Sequence, residues 1–265
     1  MSESYGKSTL RWQQEKDGTF AGVVIADGKR SEILRDEDEA RLLVRLKNEA
    51  GKLEPLYVGM QGAIDRFLSF MPGGFSGERN LGEERDYKLN AHRQLLDTLS
   101  LEKAKQATID DALNVRKAGV WINLLSPYES MHLKEALEGP NGAAFLQAAA
   151  KFADGDVNAG AQGMHLAIKK HGRLSWPTAT YFPFLWQPTK HMFLKPTVTR
   201  DFAERIGHPF QYDYEAEVTA DTYNSLIDLA EETMKAVKPL GARDLIDVQS
   251  FIWVVGAYRE EDKPG

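Results

Sequence analysis

Between Val157 and Arg200 lie 44 residues without a single Asp or Glu. The window holds Lys169, Lys170, Arg173, Lys190, Lys195 and Arg200, so it contributes +6 to a chain whose net charge is −6 and leaves −12 on the remainder. His165, His171 and His191 add ring nitrogens that can charge on meeting a phosphate. Six rings, Trp176, Tyr181, Phe182, Phe184, Trp186 and Phe193, are interleaved with these cations. Cations gain affinity for a phosphate backbone by counterion release, and aromatic faces hold unstacked bases at roughly 1–3 kcal/mol per base. The combination points to a local nucleic-acid surface, with Lys169, Lys170, Arg173, Trp176, Tyr181, Trp186, Lys190, His191, Lys195 and Arg200 as its candidate contacts. The competing account is packing: prolines and rings close a loop onto a helical core, and the lysines fringe it in solvent.

The second candidate for chemistry is Arg243 to Val255, RDLIDVQSFIWVV. Helical spacing puts Leu245, Val248, Ile252 and Val255 on one buried stripe, with Asp244, Asp247 and Phe251 on the stripe beside it. A carboxylate among such neighbours costs free energy unless it is paired or used. Asp244 can cap the helix, and Asp247 can pair with an arginine such as Arg243 or Arg200. Alternatively, Asp247 is a catalytic carboxylate tuned by partial burial, with Asp244 one helical turn away.

Other chemistries have little to work with. The chain has no cysteine, which removes disulfides, thiolate nucleophiles and cysteine-ligated zinc or iron–sulfur centres. No His-based metal spacing occurs, and Glu83, Glu84 and Asp86 read as dipole-compatible charge at a helix start, so neither a metal nor a cofactor is expected. Gly-rich phosphate loops of the nucleotide-triphosphate and dinucleotide types are also absent. No apolar run approaches the ~20 residues of a spanning helix, and Met1 to Tyr5 lacks the pattern of a signal peptide. The expectation is a cytoplasmic protein without membrane association.

Leu240-Gly241 followed by Leu-Ile-Asp-Val-Gln-Ser-Phe-Ile-Trp resembles the helix-hairpin-helix DNA glycosylases, in which a glycine hairpin leads towards a segment whose aspartate assists base excision. The resemblance implies that Asp247 is the catalytic aspartate and that Gly241 lets the backbone approach a phosphate. Pro-Leu-Gly-Ala stands where the family has Leu-Pro-Gly-x-Gly, and the second hairpin glycine is missing. The order of Glu84-Arg85-Asp86-Tyr87-Lys88, Phe193-Leu194-Lys195-Pro196-Thr197 and Asp247 to Trp253 also resembles an uncharacterised bacterial family, which implies no activity.

These residues need elements to position them. The first 35 residues read as a three-stranded meander, LRWQQ, TFAGVVIA and RSEIL, because Asp17-Gly18 and Asp27-Gly28 are hairpin-turn dipeptides. Asp36 then caps an acidic-to-basic helix through about Asn48. Further helices are predicted over Gln61–Phe70, Glu83–Leu99, from Ser126 to Gly139, and over Asn141–Phe152 and Asn158–Lys170. The aromatic stretch is too rich in proline for a long helix. Helices resume over Thr199–Ile206, Asp221–Val237 and Arg243–Val255. The fold expected is mainly α with a small amino-terminal antiparallel β element (α+β): residues 1–50 form the meander plus a helix, and 51–265 a helical body carrying the site.

On this reading the protein is a metal-independent base-excising enzyme of the glycosylase type, acting on DNA in bacterial repair or antiviral defence: cations grip the strand, an extruded base slides between rings, and Asp247 assists attack at the sugar. The alternatives are a non-catalytic nucleic-acid-binding or adaptor protein of a defence system, with purely structural aspartates, and a small-molecule enzyme with an aromatic pocket.

Overall fold

The structure is a computed structural model that describes residues 1–264. The chain opens with β1 (Ser2–Tyr5), β2 (Ser8–Gln14), β3 (Phe20–Ala26), β4 (Lys29–Arg30) and β5 (Leu34–Asp36), all paired antiparallel in the order β1-β2-β3-β4, with β5 also on β3. The Asp27-Gly28 turn has both residues at positive φ, 50° and 73°, as a two-residue hairpin requires. Two features differ from the expected meander. β1 is an additional strand, invisible to hydrophobic patterning because it reads Ser-Glu-Ser-Tyr. The third expected strand is broken into β4 and β5, since the Ser31 hydroxyl accepts the Val24 amide at 2.9 Å in place of a regular ladder bond.

Helix α1 (Glu39–Gly51), capped by Asp38 rather than Asp36, lies across this sheet and buries Leu42, Leu46 and Ala50 against Tyr5, Leu10 and Val24. Gly22 of β3 permits that approach: a Cβ there would stand 2.7 Å from a Leu46 methyl. The Tyr5 ring meets Tyr212 edge-on at 4.2 Å, joining the sheet layer to the rest.

The remaining elements are helical: α2 (Gly59–Phe70), α3 (Glu78–Asn80), a π-helical turn (Leu81–Arg85) running into α4 (Asp86–Thr98), α5 (Leu101–Ala104), α6 (Ile109–Lys117), α7 (Pro127–Glu138), α8 (Gly142–Ala153), α9 (Val157–Ile168), α10 (Trp176–Trp186), α11 (Pro196–Ile206), α12 (Phe210–Asp213), α13 (Ala220–Val237) and α14 (Leu245–Ala257). The fold is thus mainly α with a small amino-terminal antiparallel sheet. No helix among the described residues is long and apolar enough to cross a membrane. The Ser126-Pro127-x-Glu129 signal forms a full capping box at the start of α7.

Helices α10 and α14 are enclosed. Every residue of α10 is buried, and α14 is buried on all sides apart from Trp253 and its last two residues. A helix that is apolar all round has no solvent face, and its neighbours must surround it. The stretch whose prolines argue against a long helix forms one of 11 residues. Pro177 occupies the first turn, where its missing N–H is not needed, behind a capping box of Ser175 and Thr178. Pro183 is the one interior proline, accommodated in a helix of 11 residues clasped by its neighbours. Thr180 ties the helix to the following segment by accepting the Leu194 amide at 3.1 Å.

The rings of α10 therefore belong to the core. Trp176 Nε1 donates to Glu215 O at 2.8 Å, Trp186 Nε1 donates to Leu99 O at 2.8 Å, and the Tyr181 hydroxyl donates to Val120 O. Trp176→Ala, Tyr181→Ala and Trp186→Ala should each lower stability by about 3–5 kcal/mol, read as a reduced midpoint in urea denaturation.

Candidate functional site

The polar side chains that sequence places in apolar helices meet at one seam, where the π-helical turn and α4 face α14. Asp244 is the N-cap of α14 and accepts the Ile246 and Asp247 amides, and its two carboxylate oxygens also take Arg85 Nη1 and Nη2, each at 2.8 Å. Asp247 is fully buried. Its oxygens accept Arg243 N at 2.8 Å, Arg243 Nε at 2.9 Å and Arg243 Nη2 at 3.2 Å, and lie 2.8 Å from Arg85 Nη1. Beside them Lys88, also fully buried, donates to Glu84 Oε2 and to Ser250 Oγ, each at 2.9 Å. The Tyr258 hydroxyl donates to the other Glu84 oxygen at 3.0 Å. In the π-helical turn the Asp86 amide reaches back to Leu81 O, a widened turn of the kind often found at functional sites.

Burial and charge pull against each other along this seam. Burial alone would raise the Asp244 carboxyl, but the bidentate Arg85 guanidinium and the helix amides outweigh it and hold the group below the usual carboxylate range. The Arg85 guanidinium is correspondingly pushed up, chiefly by its hydrogen bond to Asp244. Burial pulls the Lys88 ammonium down, with Glu84 opposing.

Next to the seam a groove opens. Its inner pocket, about 40 Å³, is lined by Glu84, Tyr87, Asn123, Lys195, Gln249 and Trp253, with Leu124 and Phe193 as apolar wall. Its outer chamber, about 380 Å³, adjoins across Lys195 and Trp253. The walls of the chamber are the first turns of α10 (Ser175, Trp176, Pro177) and α11 (Pro196, Thr197, Val198), with Glu129 from the first turn of α7 and Arg173 beside them. Lys195, the N-cap residue of α11, offers no capping side chain; its ammonium donates to Leu124 O at 3.1 Å and stands 3.8 Å from Glu129. Glu129 is further held by the Ser126 amide at 2.8 Å and the Ser175 hydroxyl at 3.1 Å. A further cleft of about 500 Å³ shares Arg173 and Leu174 with the chamber and reaches His165 and Gln162 of α9, with Glu217 on its wall. Two helix N-termini, the Arg173 guanidinium and the Lys195 ammonium surround the chamber, offset by the Glu129 carboxylate beside Lys195 and by the Ser175–Thr178 capping box that already occupies the first turn of α10.

The residues expected from sequence thus separate. Arg173 and Lys195 line the groove, and Arg200 stacks on Tyr214, another wall residue, at 5.2 Å from the ring centre. Lys169 and Lys170 are exposed just beyond α9. Lys190 and Asp244 line a different cleft, with Lys235, Lys238 and Arg243. Trp176, Tyr181 and Trp186 are core residues; only Trp176 also borders the chamber. His191 is buried, with Nδ1 2.9 Å from the Tyr223 hydroxyl and Nε2 2.9 Å from Ala153 O, and burial pulls its pKa down, so it is not presented to a phosphate. Gly241 is exposed at φ 91° after a short turn, Lys238–Leu240, that joins α13 to α14. Among the described residues, no group of three or more His, Asp or Glu could hold a metal ion.

Glu84, Tyr87, Lys88, Asn123, Gln249 and Trp253 carry no motif that marks them for chemistry in the sequence. A signal existed for Gln249 and Ser250, which are as out of place in the apolar α14 as Asp247 is. No family model, curated protein or solved structure matches the chain.

The seam makes two predictions. Asp247→Asn should cost about 3–5 kcal/mol in denaturant unfolding, because the buried Arg85 loses one of the two carboxylates that hold it and Arg243 loses its partner. Asp244, with its depressed pKa, contributes stability that is complete above the unfolded carboxyl pKa of 3.8 and is lost as pH falls through the folded value. Melting temperatures should therefore drop between roughly pH 4 and pH 2 more steeply in the wild type than in Asp244→Asn.

Proposed function

We propose that the protein binds a nucleotide unit in the groove, phosphate in the outer chamber and base towards the inner pocket, the unit belonging to a nucleic-acid strand. The observation that carries this reading is the convergence of the first turns of α10 and α11 on a chamber lined by Arg173 and Lys195. A phosphate there meets Arg173 and the uncapped first turn of α11, and competes with Glu129 for Lys195. The half-buried Trp253 at the junction offers the inserted base an aromatic face. The outer cleft past Arg173 gives the neighbouring phosphates a path, with His165 along it.

Base excision by Asp247 does not enter the proposal. That carboxylate is closed to solvent and its oxygens are taken by Arg85 and Arg243. The reading is of recognition, with the aspartates as structural members, which favours the binding-protein alternative over the enzyme.

Arg173→Gln and Lys195→Gln should each raise the Kd for a short single-stranded oligonucleotide and reduce the slope of log K against log salt by about one unit for each phosphate no longer neutralised. Fluorescence anisotropy across a salt series measures both. Unchanged slopes in folded variants would remove the groove from consideration, and binding of free nucleoside monophosphates as tight as that of the strand would move the reading to a small-molecule site.

A further inference from the structure

Gln249, which lines the inner pocket, carries a polar atom that the fold leaves unused. Gln249 is only 4% exposed, and its Oε1 is buried without any hydrogen-bond partner. Of the buried polar atoms in that condition, it is the one whose residue lines the groove. Such an acceptor weakens a fold unless something else satisfies it. Glu84, across the same pocket, is a second acceptor, its two carboxylate oxygens already taking hydrogen bonds from Lys88 and Tyr258. The donors facing the pocket are the Lys195 ammonium, the Tyr87 hydroxyl, kept protonated by burial, and the Asn123 amide. Phe193, Leu124 and Trp253 close it with apolar surface.

Size and polarity together limit what enters. About 40 Å³ admits the edge of a flat ring and not a whole purine or pyrimidine. Acceptors and donors share one small apolar-walled space, so the entering edge has to bring both an N–H donor and an acceptor. The Gln249 amide can turn to present either atom, whereas Glu84 is placed as an acceptor beside it, so the entering edge needs an N–H donor on that side.

We infer that the inner pocket is a base-reading subsite selective for nucleobases with an exocyclic amino group beside an unprotonated ring nitrogen, the edge of cytosine and adenine, with Gln249 as the specificity-determining residue. This rests on the nucleotide reading of the groove. With the Gln249 amide turned so that Oε1 reaches the pocket, the amino group donates to it and towards Glu84, and the ring nitrogen accepts from the pocket's donors. A uracil or hypoxanthine edge brings a carbonyl oxygen against those acceptors instead.

The test is a titration of the full chain with CMP against UMP and with AMP against IMP, following Trp fluorescence. The amino-bearing member of each pair is expected to bind roughly 10–100-fold more tightly, the range of one well-made bidentate base contact. Gln249→Met should bring the CMP affinity down to that of UMP while the melting temperature stays level or rises, because the variant removes an unpaired buried acceptor. Tyr87→Phe, which keeps the ring, should narrow the same preference. Equal affinities for both members of each pair in the wild type, or a preference that survives in Gln249→Met, would overturn base reading and leave nucleotide binding standing. Binding of none of the four nucleotides would overturn base reading, and the nucleotide reading would then stand or fall on the oligonucleotide titration.

Discussion

Everything around the groove depends on the buried ionic seam in which Arg85 grips Asp244 and Asp247 while Lys88 grips Glu84 and Ser250. Charges withdrawn from water are expensive, and their mutual attraction offsets that cost only when every donor and acceptor is met. Here the geometry leaves little slack. The fork of Arg85 spans both Asp244 oxygens and still touches Asp247, while Arg243 closes the remaining side and reaches Phe75 O at 3.0 Å. The seam is consequently a register device: α14 cannot slide or rotate against the π-helical turn without stranding a charge. Glu84 belongs to the seam and to the inner pocket at once, so the pocket inherits its precision from the ion pairs behind it.

The same logic accounts for the acid-free window. Burial extends without interruption through α10 and covers His191 to Leu194. In that stretch no unpaired carboxylate could be tolerated, and no unpaired cation either. Cations return only where the chain reaches the surface, at Arg173 before α10, Lys190 in the loop after it, and Lys195 and Arg200 at α11. The missing acids therefore reflect a buried helix in large part. What packing does not demand is that Arg173 and Lys195 flank one chamber onto which helix N-termini converge.

Two enclosed helices arranged in this way divide labour. α10 supplies bulk and rigidity through rings whose polar atoms are each tied to a backbone carbonyl. α14 supplies polarity in measured places: Asp244 and Asp247 face the arginines, Ser250 faces Lys88, and Gln249 and Trp253, one turn apart, face the groove. A polar residue inside an apolar helix is legible as an anomaly, but its role depends on which face it occupies once the neighbours are placed.

By itself the sequence determined much of the local structure: the Asp27-Gly28 hairpin turn, the capping box of α7, the helical character from Gly59 onward, and Asp244 as a cap. Those features depend on a few adjacent residues and the φ, ψ values and hydrogen bonds they allow, so no distant partner is needed to establish them. Adjacency also misled: Ser-Glu-Ser-Tyr shows no strand pattern, yet it pairs with β2 across Gly6-Lys7 through backbone hydrogen bonds that side-chain patterning does not report, and the proline-rich stretch forms a helix of 11 residues clasped by its neighbours. Only the tertiary structure decided that Trp176, Tyr181 and Trp186 are core, that Asp247 answers to an arginine as remote in sequence as Arg85, and that Gln249 lines a pocket with its Oε1 left unpartnered. Burial and pairing are properties of which surfaces meet, and those surfaces are contributed by residues whose separation along the chain carries no record of the meeting.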